Sequence, residues 1–109
     1  MSEDKRIYSR LDLSKLAFAK EGDQAHGGLL KDISTSGAFI EFEYPLGRVE
    51  HNFAAGERIE LMLEDETMLV GEAARAEENG VAIRFDPEDD DQRGFVEALV
   101  EAEWEMQYE

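Results

Sequence analysis

Apolar and polar positions alternate with a period of two over much of this chain, and the alternation breaks at short clusters of Gly, Asp, Asn and Ser. The first alternation, Leu16 and Phe18 against Ala17 and Ala19, predicts a strand over Leu13–Lys20, ended by the turn signal Glu21-Gly22-Asp23. A second strand is predicted over His26–Ser34, closed by Ser34-Thr35-Ser36-Gly37. Ala38, Ile40, Phe42 and Tyr44 then share one face, with Glu41 and Glu43 on the other, until Pro45. Ile59, Leu61 and Leu63 mark a further strand, and Met68–Glu77 another. Asn79-Gly80 predicts a type I′ hairpin turn, which leads into Val81, Ile83 and Phe85. After Asp86-Pro87 the period changes. Phe95, Leu99, Ala102 and Met106 recur at i, i+4, i+7 and i+11, and Val96 and Val100 widen the stripe, as in an amphipathic helix. Asp86 is the expected N-cap, with Pro87 at the first helical position. Six short strands and a terminal helix predict a mainly β fold, a small barrel or sandwich.

Composition narrows the function. The 109 residues suit one domain, read as an arm over residues 1–12, a barrel over 13–86 and a helix over 87–107. No cysteine is present, which excludes disulfides, thiolate metal sites and cysteine catalysis. No apolar run approaches the length of a membrane span, and Met1–Arg10 is polar with no apolar run behind it. A cytoplasmic protein without membrane insertion is expected. The formal charge is −16, which argues against a nucleic-acid binder and against anionic lipid. The charge is uneven. Residues 1–20 carry five basic and three acidic groups (+2), residues 21–85 five and fourteen (−9), and residues 86–109 one and ten (−9).

An enzyme is not expected. The two histidines, His26 and His51, lie in different segments, and there is no nucleophile elbow, phosphate loop or His-x-x-x-His pair. Asp89–Asp91 lacks the alternating spacing and turn glycine of a calcium loop, so no metal and no cofactor is expected. Two short stretches stand out. One is Lys5-Arg6-Ile7-Tyr8-Ser9-Arg10, an Arg-x-x-x-Arg pair preceded by lysine, in a segment with few apolar residues that is expected to be a mobile arm. The other is Asp32-Ile33-Ser34-Thr35-Ser36-Gly37, an Asp-x-Ser-x-x-Gly at a strand end.

These two motifs, in this order and flanking one strand, resemble the signature of the PilZ domain family. Val70-Gly71 with Arg75, then Gly80-Val81 and Phe85, resembles that family's late hairpin. The resemblance implies a six-stranded antiparallel β-barrel with a C-terminal helix that binds cyclic di-GMP on its outer wall. It implies ligand contacts by Arg6, Arg10, Asp32 and Ser34, with Gly37 shaping the turn. Lys5 holds the position that influences whether one ligand or a stacked pair binds. Arg75 is a further basic candidate.

The residue chemistry agrees. An arginine fork matches the O6 and N7 acceptors of guanine bidentately, stacks on aromatic faces and pairs with phosphate. A carboxylate such as Asp32 complements the N–H donors on the Watson–Crick edge, and Ser34 can donate or accept beside it. The expected function is a cyclic di-GMP receptor and adaptor that changes conformation to regulate a protein partner, with motility, exopolysaccharide or biofilm output. The alternative is a PilZ-like interaction module that binds no nucleotide. Trp104 is expected to pack on the barrel.

Overall fold

The period-two segments become six antiparallel strands that close on themselves. The computed structural model describes residues 11–42 and 53–108. The strands are β1 (Leu11–Glu21), β2 (Gln24–Ser34), β3 (Gly37–Glu41), β4 (Arg58–Leu63), β5 (Met68–Glu77) and β6 (Gly80–Phe85), and one helix, α1 (Asp90–Tyr108), follows. Hydrogen bonding runs β1-β2-β3-β6-β5-β4 and returns to β1 as a closed barrel. The barrel and its C-terminal helix agree with the sequence expectation.

The interior is filled from alternate positions of each strand. Leu30, Ile33, Ala38, Ile40, Ile59, Leu61, Leu69, Val81, Ile83 and Phe85 are all buried there. Each large aliphatic side chain removed from water contributes roughly 1.5–3 kcal/mol. In β1 the small members of the alternation face inward: Ala17 and Ala19 are fully buried, while Leu16 and Phe18 are half-buried. Phe18 pairs with Gly27 across β1–β2 and lies over it, its ring about 3.1 Å from where a Gly27 side chain would begin. The aromatic covers backbone that glycine leaves bare. At the other end of the core His26, Phe42 and Phe53 form a buried ring cluster with centroids 5.7–6.0 Å apart. His26 is thus a packing residue there. His51 and Tyr44 lie outside the described residues.

Three local expectations change. The β5–β6 turn centres on Glu78 and Asn79, with Glu77 paired to Gly80, and neither central residue has a positive φ. Gly80 is drawn into β6 because β3 passes so close: a Cβ there would stand 2.6 Å from the Ile40 carbonyl oxygen. The helix starts at Asp90, with Asp89 as its cap, whose carboxylate accepts the Gln92 N–H (3.1 Å). Asp86 instead accepts the Glu88 N–H (2.9 Å) and forms a turn ahead of the helix, which uses Pro87 before α1 begins.

The helix also sits rotated from its expected orientation. Val96 and Val100 are fully buried and Leu99 and Trp104 partly so, but Phe95 and Met106 are exposed. Polar contacts fix this rotation. The Gln92 side chain pairs with the Val70 backbone in both directions, donating from Nε2 to the carbonyl (2.7 Å) and accepting the N–H at Oε1 (2.8 Å). Toward the other end Lys15 pairs with Glu103 (3.1 Å), and Gln107 donates to the Asp12 carbonyl (2.8 Å). β1 begins at Leu11, ahead of the expected Leu13, because Leu11 pairs with Ile33 and is itself buried.

Candidate functional site

Asp32 owes its position to an irregularity in β2. The β2–β3 register shifts between Leu30 and Asp32, so Lys31 is an extra residue. Leu30 and Ile33 both point into the core, while Lys31 and Asp32 are both half-buried on the outer wall. A bulge of this kind re-aims side chains. A second shift in β5 lies between Ala73 and Arg75, with Ala73 buried and Arg75 exposed.

The two shifted residues end one cross-strand row. Asp32 pairs with Phe39, Phe39 with Ala82, and Ala82 with Arg75. The row crosses β2, β3, β6 and β5, about 14 Å at the usual strand spacing. It lines an open cavity of about 420 Å³ together with Ala38 and Glu77. Arg75 Nε donates to Glu77 Oε2 (2.7 Å), and both side chains are largely exposed. The row thus has a carboxylate at one end, an aromatic and a methyl floor, and a guanidinium–carboxylate pair at the other. It suits a flat polar ring system with hydrogen-bond donors toward Asp32 and acceptors or negative charge toward Arg75.

Ser34 and Gly37 do different work. They pair with each other and close the β2–β3 turn. Ser34 is almost wholly buried. Its Oγ lies 3.0 Å from Ser36 Oγ and accepts the Ser36 N–H at 3.3 Å, while the Ser36 carbonyl accepts the Phe85 N–H (3.0 Å). Gly37 is needed because β6 is so close: a Cβ would stand 2.2 Å from the Ile83 carbonyl oxygen. Its φ is not in the left-handed region. The motif therefore splits, with Asp32 on the outer wall and Ser34 and Gly37 holding the turn that fixes β2 against β3 and β6. Lys5, Arg6 and Arg10 lie outside the described residues, as do residues 1–10 of the arm expected over 1–12, while Leu11 and Asp12 belong to β1.

Sequence reasoning missed Phe39 as part of the floor. Its signal was an aromatic on the same side as Glu41 in an alternating strand. A cleft of about 550 Å³ lies elsewhere, along β4, β5, the end of β6 and the turn ahead of α1. Its arginines are engaged with neighbouring carboxylates, Arg58 with Glu60 (2.9 Å) and Arg84 with Glu72 (3.6 Å). Among the described residues no cluster of His, Asp or Glu is arranged to hold a metal ion. No described helix is long and apolar enough to cross a membrane.

A closed six-stranded barrel with a terminal helix, carrying its candidate site on the outer wall, defines a small β-barrel domain. The PilZ domain profile matches residues 4–102, and the chain belongs to that family. The family is one of cyclic di-GMP-binding receptor modules rather than enzymes. Two solved structures share the fold. One is the PilZ domain of CeSA from a cellulose-synthesizing bacterium, 16% identical with a TM-score of 0.66, covering 86% of this chain and 96% of that one. The other is an uncharacterized Legionella protein, 17% identical with a TM-score of 0.62, covering 94% of this chain and all of that one. No curated protein sequence matches.

Proposed function

We propose that this chain is a cyclic di-GMP receptor and adaptor, acting in the cytoplasm on a protein partner in motility, exopolysaccharide or biofilm control. Cyclic di-GMP is the ligand, and no separate cofactor takes part. Arg6 and Arg10 contact guanine and phosphate, and Asp32 hydrogen-bonds a guanine Watson–Crick edge over the Phe39–Ala82 floor. Ser34 and Gly37 support that contact from the turn, and Lys5 influences whether one ligand or a stacked pair binds. The observation that carries the reading is that the family match over residues 4–102 contains both motifs intact and in order. Binding draws residues 1–10 against the barrel and alters the surface offered to the partner.

Isothermal titration with cyclic di-GMP, alongside GTP and cyclic di-AMP, tests this. Saturable binding of cyclic di-GMP alone is expected, with its stoichiometry reporting the role of Lys5. Arg6→Ala, Arg10→Ala and Asp32→Ala should each abolish binding without unfolding the barrel. Absence of both heat and a thermal shift, from folded protein at several salt concentrations, would reject the proposal. It would leave a PilZ-like interaction module that binds no nucleotide.

A further inference from the structure

The apolar stripe of α1 is wider than the barrel can cover. At about 100° per residue, Gln92, Val96, Val100, Glu103 and Gln107 fall on one side of the helix. Val96 and Val100 are fully buried, and Gln92, Glu103 and Gln107 make the polar contacts to the barrel. Phe95, Leu99, Ala102 and Met106 fall within an arc of about 60° beside it. Leu99 is half-buried at the boundary, but Phe95 is 39% exposed, Met106 is 75% exposed and Ala102 is exposed. Ala98, also exposed, continues this surface. Half of the stripe is thus spent on the barrel, and the other half is a row three turns long in which Phe95, Ala102 and Met106 face solvent.

The charge around the row says what covers it. Asp90–Tyr108 contains six acids (Asp90, Asp91, Glu97, Glu101, Glu103, Glu105) and one base (Arg93), a net of −5, with no base in the last turn. Asp91 and Glu105 are exposed and come next around the helix from the row. A second copy laid helix to helix would set acid against acid, and an anionic lipid surface would be repelled as well. A helix with an apolar face bordered by Lys and Arg satisfies both the row and its rim.

We infer that the row Phe95–Leu99–Ala102–Met106 is a docking surface for a basic amphipathic helix of a partner protein. This goes beyond the nucleotide reading and does not depend on it, because no residue of the row is among the candidate ligand contacts. Phe95 and Met106 are the anchors, and Asp91 and Glu105 select for basic flanks.

The test uses the full chain and a synthetic helical peptide with leucines at i, i+3, i+4 and i+7 and lysines flanking them. Two control peptides accompany it, one of the same composition with the leucines scattered and one with the lysines replaced by glutamate. Amide shifts mapping to α1 are expected for the first peptide, with binding at least about tenfold tighter than either control. Phe95→Ser and Met106→Ser, both at exposed positions, should each weaken it by about tenfold while leaving the melting temperature and any cyclic di-GMP titration unchanged. Equal affinity for the scattered peptide, or binding untouched by both serine variants, would reduce the effect to bulk attraction by an acidic protein and overturn the inference. So would a concentration-dependent dimer in sedimentation that Phe95→Ser and Met106→Ser abolish, since a second copy would then be the occupant. Loss of cyclic di-GMP binding alone, with peptide binding intact, would count against the receptor reading and leave this surface standing.

Discussion

Gln92 is the residue on which attachment of the helix turns. β6 ends at Phe85, and its pairing with β5 begins at Gly71, so Val70 has β4 on one side and no β6 residue on the other. The Gln92 amide takes that place, with one donor and one acceptor bond of 2.7 and 2.8 Å. Gln92→Ala removes both and leaves a peptide N–H and C=O to find water. A buried orphan costs about 1–3 kcal/mol, and Val70 is only half-buried, so the low end applies to each group. The expected loss is about 2 kcal/mol, less a few tenths for the better helix propensity of alanine. For a domain of this size that is a fall of about 10 °C in Tm. In denaturant the midpoint should fall with the slope unchanged, and the Val70 amide should lose its exchange protection. Gln92→Glu adds a check with a sign. A carboxylate can accept the Val70 N–H but has no proton for the Val70 carbonyl, so only the protonated form restores both bonds. The folded-state pKa of that glutamate is therefore raised, and the deficit relative to the parent should grow as pH rises through it and shrink below it. A Gln92→Ala protein within about 0.5 kcal/mol of the parent, with Val70 still protected, would refute this account of how α1 is held.

Gly37→Ala forces a Cβ to 2.2 Å from the Ile83 carbonyl oxygen, and this is backbone of β6, which cannot swing aside as a side chain would. A loss of about 3 kcal/mol or more in urea unfolding is expected, so any binding defect in this variant reports the barrel rather than ligand contact. Glu66 holds φ 70° in the β4–β5 turn, and Glu66→Gly should gain about 1 kcal/mol in the same assay. The Asp65 carboxyl sits below its ordinary value because the Thr67 side chain and main-chain N–H both hydrogen-bond to it. A depressed carboxylate stabilises above its unfolded pKa and loses that contribution as pH falls through the folded one. The Tm gap between the parent and Asp65→Ala should therefore be widest near neutral pH and narrow in acid.

The strands were legible where large and charged residues alternate, as in Ile59–Leu61–Leu63 and Val81–Ile83–Phe85, whose buried faces match the pattern. Inward packing of Ala17 and Ala19 was not legible, because the contact that settles it joins Phe18 to a glycine on the next strand. Five of the six residues from Asp86 to Asp91, all but Pro87, offer almost equivalent carboxylate acceptors, so the sequence did not decide which one caps α1. The helix stripe was read correctly as apolar, but periodicity cannot say which half meets the barrel. That choice is made by Gln92 reaching a residue 22 positions earlier. At the candidate site Asp32, Ser34 and Gly37 entered through the resemblance of their motif to the PilZ signature. Their division between wall and turn required the Lys31 bulge, and Phe39 entered only through its register with Asp32 and Ala82.

Closure of the barrel restricts how the domain can communicate. Each of the six strands has a neighbour on both sides along part of its length, so the sheet has no edge strand. A partner therefore finds no whole edge strand among the described residues on which to pair a seventh. Nor can one strand slide by a residue, because a slip would have to pass around the whole ring and turn each side chain it displaced to the opposite face. Any change at the outer wall therefore leaves the barrel through side chains, through the bulges in β1, β2 and β5 or through α1.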